Sequence, residues 1–229
     1  MGMFQQSVVN KYLNGIDKNK VKLEYEKFKK IFCDSQNIEN IKKVKEEQYQ
    51  EGFLNDLFVN CLGYSCLYPK TNYDILTELK NNTDSKKADG SIIKDNEVIA
   101  VIELKQYSVQ DLKEASTQAF GYKFNHPKSK YVIVSNFDSL RFYVESSDNF
   151  ELFSLLNMDY KTFERLYLIL SKESIFNDIP LKMKSDSKLR DEDISDKLYK
   201  DYHRFKMNIY QTGMTMFGRI SKQFSYGFK

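Results

Sequence analysis

The sequence predicts an α/β domain in which a mixed central β-sheet is flanked by helices, with helical segments at both ends of the chain. Three observations carry this prediction. Apolar residues recur at helical spacing in the N-terminal third, for example at Val21, Phe28 and Phe32. The run Val98–Ile102 is apolar throughout and mostly β-branched, which is typical of a strand buried on both faces. A helical pattern returns over residues 163–170, after the predicted strands.

The predicted elements follow one another as helices, strands and helices again. The helical N-terminal part ends near Leu62, and Gly63 stands where a C-cap glycine is expected. The polar stretch Tyr64–Lys87 is predicted to be irregular, with an exposed loop at residues 81–87. Strands are predicted at residues 91–93, 98–105, 131–135 and 140–145, with a helix over residues 108–124 between the second and the third.

The pattern also predicts two domains. The compact part of the chain is expected to end at Pro180, which gives a first domain of residues 1–181. Residues 182–229 are predicted to hold a charge-rich linker and the start of a helical connector, because apolar residues return at helical spacing from Leu198 onwards.

Composition restricts the class of protein. Apolar residues make up 41% of the 229, which is enough for a packed core, and the net charge of +3 does not by itself indicate a partner. No apolar run approaches the roughly 20 residues that a membrane span requires, and the first ten residues lack a secretory pattern. We therefore expect a cytoplasmic protein with no membrane partner. The three cysteines form no C-x-x-C pair, which argues against a structural zinc site.

Glu103 and Lys105 stand at the end of the most apolar predicted strand. The two-residue period of a strand points both side chains to the same face. Asp89 begins the preceding short strand, and a hairpin between the two strands would bring its carboxylate towards that of Glu103. A strand end that enters solvent also commonly carries glutamate and lysine, so the pair alone does not distinguish a catalytic site from an exposed end.

The chemistry of these side chains favours a metal ion. Converging carboxylates need a proton or a cation to offset their repulsion, and oxygen ligands suit Mg²⁺, so Asp89 and Glu103 predict a Mg²⁺ site. Lys105 beside it would hold a water molecule and the charge that builds on a phosphate. Gln118 and Tyr122 lie one turn apart on the following helix and could face the same strand ends. The alternative for this last pair is an exposed glutamine and a core tyrosine.

The order Asp89, then Glu103-Leu104-Lys105, then Gln118-x-x-x-Tyr122 resembles the PD-(D/E)xK nuclease superfamily, and its last element is similar to the RecB-type variant. Ala88 stands where that superfamily usually has proline. The chain from Phe4 to Leu181 also resembles the N-terminal endonuclease domain of type IIG restriction-modification enzymes, with a restriction-endonuclease-like fold. The segments that carry this second resemblance are residues 4–7, 46–54, 62–64 and 87–90.

The resemblance implies a role for each site residue. Asp89 and Glu103 would bind the catalytic Mg²⁺, Lys105 would orient or activate water, and Gln118 would support the site. Such nucleases often add a glutamate from the helix before the first core strand, for which Glu47 and Glu51 are candidates. Glu47 is preferred because it lies within the stretch Glu46-x-x-Tyr49-Gln50, while the alternative for both is a solvated helix face.

On this resemblance, residues 1–181 form a Mg²⁺-dependent endonuclease domain of a type II (IIG-like) site-specific deoxyribonuclease, which hydrolyses phosphodiester bonds in double-stranded DNA. Cutting both strands is expected to require a second copy of the chain. Whole enzymes of this type add a target-recognition domain and an adenine methyltransferase, which binds S-adenosylmethionine. No two prolines are adjacent, so the methyltransferase motif Asn/Asp-Pro-Pro-aromatic is missing, and S-adenosylmethionine is expected only in a full-length parent.

Two other functions fit the same residues. One is a non-catalytic DNA-binding or docking module that has kept the nuclease fold, against which the intact Asp89, Glu103 and Lys105 argue. The other is a stand-alone RecB-like nuclease that acts on DNA ends, which Gln118 and Tyr122 favour.

Overall fold

A computed structural model describes residues 2–66, 73–80 and 87–225 of the chain. The chain divides into two compact units, Met1–Lys184 and Ser185–Lys229. The first unit holds the sheet, and the described residues of the second unit are helical. The functional division into an endonuclease domain and a connector stays a prediction. Residues 81–86, for which the sequence predicts an exposed loop, lie outside the described residues.

A mixed six-stranded sheet, in the order β1-β2-β3-β4-β5-β6, forms the centre of the first unit. Strands β3 and β4 run parallel, and each of the other neighbouring pairs is antiparallel. This arrangement confirms the predicted α/β class with a mixed sheet flanked by helices. The strands are β1 (Ile75–Lys80), β2 (Lys87–Lys94), β3 (Glu97–Leu104), β4 (Tyr131–Ser135), β5 (Ser139–Val144) and β6 (Phe150–Ser154).

Helices precede the sheet, cross between β3 and β4, and follow β6. Several of them begin at an aspartate whose side chain accepts hydrogen bonds from the first turn, as Asp17, Asp34 and Asp159 do. The helices are α1 (Gln6–Leu13), α2 (Lys18–Phe32), α3 (Ser35–Lys43), α4 (Glu46–Phe53), α5 (Lys113–Phe124), α6 (Tyr160–Leu170), α7 (Lys172–Phe176) and α8 (Ile179–Ser225), with a π-helix at Leu54–Val59 directly after α4.

The central strands are buried on both faces, as the sequence predicts for β3. Every residue of β4 is buried, and its side chains alternate between two apolar clusters. Val132 and Val134 pack with Ala115 and Ala119 of α5. The opposite face belongs to the main core, where strand and helix residues meet; its members include Ile102, Ile133, Phe142, Phe28, Phe53 and Phe163.

The two edge strands were not predicted. β1 lies inside the stretch Tyr64–Lys87, for which the prediction of irregular structure is wrong over residues 75–80. Ile75 is buried, but an edge strand pairs on one side only and so tolerates polar neighbours. In β6 the charged Glu151 is buried while the apolar Leu152 is 59% exposed, which is the reverse of the usual pattern.

The C-terminal region differs from its prediction as well. Residues 182–196, expected to form a linker, are part of α8. Pro180 does not end the structure but lies in the first turn of this helix, where a missing N–H costs no hydrogen bond. Five of the nine charged residues in this stretch are lysine, arginine or glutamate, which favour helices, and the other four are aspartate, which does not.

A buried ion pair explains the unusual pattern of β6. Glu151 Oε2 lies 2.7 Å from Arg165 Nη2 of α6, and Glu151 Oε1 accepts a hydrogen bond of 3.0 Å from the backbone N–H of Phe4. The side chain of Glu151 is 4% exposed and that of Arg165 is 23% exposed. One carboxylate therefore joins the sheet edge to α6 and to the segment that leads into α1.

We expect Arg165→Ala to destabilise the fold by about 2–3 kcal/mol, because it leaves the Glu151 carboxylate buried without its cation, and the partial exposure of Arg165 reduces the effect below that of a fully buried pair. Urea denaturation followed by circular dichroism measures the change. Arg190→Ala, on the exposed part of α8, is the control and should change the free energy of unfolding by less than about 0.5 kcal/mol. Equal changes in the free energy of unfolding for the two substitutions would show that the Glu151–Arg165 ion pair does not stabilise the fold.

Candidate active site

Strand pairing brings Asp89 and Glu103 together. In the antiparallel pair β2–β3, Gly90 faces Ile102 and Ser91 faces Val101. Extended by one residue, this register sets Asp89 opposite Glu103 on the same face of the sheet. The hairpin geometry expected from the sequence is therefore present, while the catalytic roles of the two residues stay predictions.

Gly90 lets the helical layer approach the strand that carries Asp89. A Cβ atom at this position would lie 3.1 Å from Leu54 Cδ1 and 3.4 Å from Ile102 Cβ. The first distance is shorter than ordinary van der Waals contact, so an added Cβ would require the Leu54 side chain to move by a few tenths of an ångström, whereas the second is at the limit of normal packing. This close approach places the C-terminal part of α4 beside the strand ends.

Asp89 is held by one contact from α4 and one from β3. Its Oδ1 accepts a hydrogen bond of 2.9 Å from Gln50 Nε2, and its Oδ2 accepts one of 2.7 Å from the backbone N–H of Leu104. Burial raises the pKa of Asp89, while the Leu104 N–H and the nearby Lys105 charge oppose this rise. Each oxygen keeps a further lone pair for another ligand.

Glu103 is almost fully buried, with 1% of its surface exposed. Its Oε1 accepts a hydrogen bond of 2.7 Å from Lys105 Nζ, whereas its Oε2 is buried and has no hydrogen-bond partner among the described residues. Burial, reinforced by the Asp89 charge and opposed by Lys105, raises the pKa of Glu103 from 4.5 to about 7. In the absence of a metal ion, this carboxyl group therefore keeps its proton to a higher pH than an ordinary glutamate does.

Lys105 connects the strand end to α4. Its Nζ donates to Glu103 Oε1 at 2.7 Å, to Glu46 Oε1 at 3.3 Å and to the Leu104 carbonyl at 3.0 Å. Burial lowers the pKa of Lys105, but the hydrogen bond that Lys105 donates to Glu103 and the charges of the carboxylates outweigh this effect, so the net shift is upward. Lys105 is thus a charged group at neutral pH, held in place by two acidic side chains.

The glutamate that α4 contributes is Glu46. Besides contacting Lys105, Glu46 Oε2 accepts a hydrogen bond of 3.3 Å from the backbone N–H of Gln106. Glu47, preferred in the sequence analysis, is exposed and makes no hydrogen bond or ion pair with the part of the chain that the structure describes, and Glu51 is exposed as well. The geometry therefore favours Glu46 in the position for which the sequence suggested Glu47.

Gln118 contacts Tyr122, and the described residues show no hydrogen bond between Gln118 and Asp89, Glu103 or Lys105. Gln118 Nε2 donates a hydrogen bond of 2.8 Å to the Tyr122 hydroxyl, and Tyr122 is 4% exposed and packs on Val101 of β3. Burial, together with the charges of Glu103 and Asp89, raises the pKa of Tyr122. Tyr122 is therefore a core residue within the electrostatic field of the site, and Gln118 orients its hydroxyl.

Three polar residues that the sequence did not single out lie in this region of the structure. Glu46 and Gln50 face the site from α4 and share a helical face with the buried Phe53 and Leu57, which the helical period alone does not distinguish from the neighbouring face. The third is Ser91, on the same face of β2 as Asp89, whose hydroxyl is buried without a hydrogen-bond partner among the described residues. No sequence signal distinguishes Ser91 from a serine on any other strand.

The carboxylates at this site match the ligands that Mg²⁺ usually has in proteins. Mg²⁺ commonly binds through one or two carboxylates and completes its shell with water and substrate phosphate. Asp89 and Glu103 offer two carboxylates, and the unpaired Oε2 of Glu103 is the kind of buried oxygen that a cation satisfies. Over residues 2–66, 73–80 and 87–225 no group of three or more His, Cys, Asp or Glu is arranged to hold a metal, so an all-protein cage is not found there.

Comparison with protein families relates this region to restriction enzymes. Residues 50–156 match the family model described as type I restriction enzyme R protein N terminus (HSDR_N). The matched segment is just under half of the chain and includes Gln50, Asp89, Glu103, Lys105 and Gln118. It points to a domain related to restriction enzymes, with a restriction-related function on DNA.

The other comparisons add no relative. Neither the curated proteins nor the solved structures gave a match to this chain. In the part of the chain that the structure describes, no helix combines the length and the apolar character that crossing a membrane requires.

The raised pKa of Glu103 predicts a specific pH dependence of stability in EDTA. Between about pH 4.5 and pH 7 the folded protein binds a proton at Glu103 that the unfolded chain releases, so the stability that Glu103 contributes is lost as the pH rises through this window. The Glu103→Gln variant has no titrating group at this position. Compared with that variant, the free energy of unfolding of the wild type should fall by on the order of 1–3 kcal/mol between pH 5 and pH 8. Urea denaturation at both pH values measures the difference.

Added Mg²⁺ provides the matching control at pH 8. Mg²⁺ should raise the free energy of unfolding of the wild type more than that of Glu103→Gln, because only the wild type has an ionised carboxylate at residue 103 for the cation to offset. If the difference in the free energy of unfolding between wild type and Glu103→Gln did not change with pH, the pKa of Glu103 would not be raised in the folded protein.

Proposed function

We propose that the chain is a Mg²⁺-dependent DNA endonuclease domain of a restriction enzyme, which hydrolyses phosphodiester bonds in double-stranded DNA. The observation that carries this proposal is the buried, half-satisfied carboxylate of Glu103, which shares one sheet face with Asp89 and one hydrogen bond with Lys105. The match of residues 50–156 to a restriction-enzyme model supports DNA as the substrate.

Each side chain has a defined part in this reaction. Asp89 and Glu103 would hold Mg²⁺, which when bound neutralises phosphate charge and lowers the pKa of water. Gln50 and the Leu104 N–H fix the orientation of Asp89. Lys105 is positioned to donate hydrogen bonds to an attacking water or to a phosphate oxygen, and Glu46 keeps its ammonium at the strand end.

The proposal includes a finer assignment to a type II (IIG-like) enzyme. It depends on the resemblance over residues 46–54, 62–64 and 87–90, whereas the matched family model is that of a type I R protein and supports only the relation to restriction enzymes. A full-length parent of the IIG type would carry the methyltransferase and bind S-adenosylmethionine. The choice of DNA sequence would then lie outside this chain.

A second candidate is an end-dependent nuclease of the RecB type, and the Gln118–Tyr122 hydrogen bond favours it. The two candidates differ in whether the substrate needs an end. Covalently closed plasmid is cut by an endonuclease and resists an end-dependent enzyme, so the comparison of closed and linear DNA separates them.

Glu103→Ala and Lys105→Ala should each reduce the rate at which supercoiled plasmid is nicked in Mg²⁺ by more than about a hundredfold. Substituting residues that only hydrogen-bond to the ligands of a catalytic metal already reduces activity by about 10–100-fold, so the loss of a ligand or of the catalytic lysine should cost more. EDTA should abolish nicking by the wild type. The matched control is Glu97→Ala, which removes an exposed glutamate from the start of the same strand and should leave the rate unchanged. Equal nicking by wild type and Glu103→Ala would remove the proposed site.

Glu46 and Glu47 offer a second matched pair, because they are adjacent in sequence and only Glu46 contacts Lys105. Glu46→Gln should slow nicking by about 10–100-fold, as expected for a residue that orients a catalytic group. Glu47→Gln should slow it less than about twofold. The reverse order would restore Glu47 as the helix carboxylate and would contradict the geometry described above.

A further inference from the structure

Two exposed lysines and a tyrosine lie beside the candidate active site. Lys42 is in the last turn of α3 and Lys45 directly precedes α4, and neither side chain has an acidic partner in the part of the chain that the structure describes. Tyr107 is half-buried in the loop that leaves β3, two residues after Lys105. Lys42 Nζ lies 5.5 Å from the centre of the Tyr107 ring, which is the distance of a cation–π contact. Lys42, Lys45 and Tyr107 are called the basic rim below.

One carboxylate of the site joins the two segments that carry the basic rim. Glu46, which follows Lys45, accepts a hydrogen bond of 3.3 Å from Lys105 Nζ through Oε1. Its Oε2 accepts one of 3.3 Å from the backbone N–H of Gln106, the residue before Tyr107. The start of α4 and the loop after β3 are therefore held together at the strand end that carries Lys105, and the basic rim borders that end.

A buried amide fixes the loop that carries Tyr107. Asn136 is 1% exposed and directly follows β4, and its Nδ2 donates hydrogen bonds to the backbone carbonyls of Val109 at 2.8 Å and Tyr107 at 3.4 Å. Its Oδ1 accepts hydrogen bonds from the backbone N–H groups of Asp138 and Ser139, so the loop is tied to the turn between β4 and β5. A surface that is already fixed loses little conformational entropy when a ligand binds, which favours a role in binding.

The fold itself gives no reason for a lysine at residue 45. Lys45 is the N-cap residue of α4, where serine, threonine, aspartate or asparagine usually accepts a hydrogen bond from the first turn. A lysine ammonium has no acceptor, and the positive end of the helix dipole disfavours a cation at this place. By contrast, the N-cap residues of α2, α3 and α6 are Asp17, Asp34 and Asp159. A ligand that carries negative charge would offset this local cost.

We propose that the basic rim binds the DNA backbone beside the phosphate that is cut, where Lys42 and Lys45 each contact a phosphate and the Tyr107 hydroxyl donates a hydrogen bond to one. This inference rests on the proposed function, because it takes duplex DNA as the partner. The carboxylates of the site repel the neighbouring phosphates, and two cations placed beside the site offset that repulsion. Backbone contacts carry no sequence information, so unrelated duplexes should bind equally well.

The salt dependence of binding tests the two lysines. Fluorescence anisotropy of a labelled duplex measures binding by the full-length chain, with Ca²⁺ in place of Mg²⁺ and a gel of the same samples to verify that the duplex stays intact. The logarithm of the binding constant falls with the logarithm of the salt concentration by about 0.9 per neutralised phosphate. Lys42→Ala and Lys45→Ala should therefore each make this slope shallower by about 0.9 between roughly 50 and 200 mM salt.

Tyr107→Phe tests the hydroxyl separately, because it keeps the ring that contacts Lys42. This substitution should weaken binding by about three- to tenfold, the effect of one lost hydrogen bond to a charged group. The slope against salt should not change, because no charge is removed. A loss of slope in Tyr107→Phe, or an unchanged affinity, would contradict the proposed contact of the hydroxyl with a phosphate.

Lys128→Ala is the matched control, since it removes the same charge from an exposed residue at the other end of the sheet. Lys128 precedes β4, which begins beside the first half of β3 with Tyr131 opposite Ala100, whereas Lys105 follows the last residue of β3. Because the removed charge lies away from the proposed contacts, the affinity should stay within about twofold and the slope should not change.

The outcomes separate this inference from the proposed function. If the wild type binds the duplex but the lysine substitutions in the basic rim leave the slope unchanged, or Lys128→Ala changes it as much, the basic rim is overturned and the endonuclease proposal stands. If the wild type has no affinity for duplex DNA, both are overturned. If the rim substitutions have the expected effects but the wild type does not nick supercoiled plasmid, the basic rim is supported and the endonuclease proposal is contradicted.

Discussion

The shared burial of Asp89 and Glu103 is the constraint on which the rest of the site depends. The β2–β3 register sets the two carboxylates against each other, and Glu46 adds a third acidic group from α4. Lys105 offers a single positive charge to all three. Burial is the main cause of the pKa of about 7 at Glu103, and the neighbouring carboxylates, which one ammonium does not balance, raise it further. A proton or a divalent cation would relieve both effects.

The backbone around the site is irregular where it brings the helical layer to the strand ends. The π-helix at Leu54–Val59 follows α4 directly, and the Leu54 side chain packs closely against Gly90 of β2. Segments of π-helix are frequent at functional sites, because the extra residue per turn re-aims the side chains before and after it. In this chain it lets Leu57 and Phe58 reach the core while Gln50 stays beside Asp89.

Sequence periodicity could predict those site residues whose position is determined by the local pattern alone. Glu103 and Lys105 follow the most apolar strand, and the period of two places them on one face whatever surrounds the strand. The glutamate of α4 could not be chosen in this way, because Glu46 lies two turns before the buried Phe53 and Glu47 two turns before the equally buried Leu54. Only the contact of Glu46 with Lys105 distinguishes the two. Strand β6 could not be predicted, because Glu151 is buried only through its pairing with Arg165, a partner distant in sequence.

The electrostatics of the site bear on the choice between a nuclease and a passive DNA-binding module. A module that only held the phosphate backbone would gain affinity from lysine or arginine at this place, whereas buried carboxylates repel phosphate. Leaving Glu103 Oε2 without a hydrogen bond also costs folding stability that an uncharged side chain would not cost. Both costs would disappear if a divalent cation lay between the carboxylates and the phosphate, so the electrostatics favour the proposed metal site over a passive DNA-binding module.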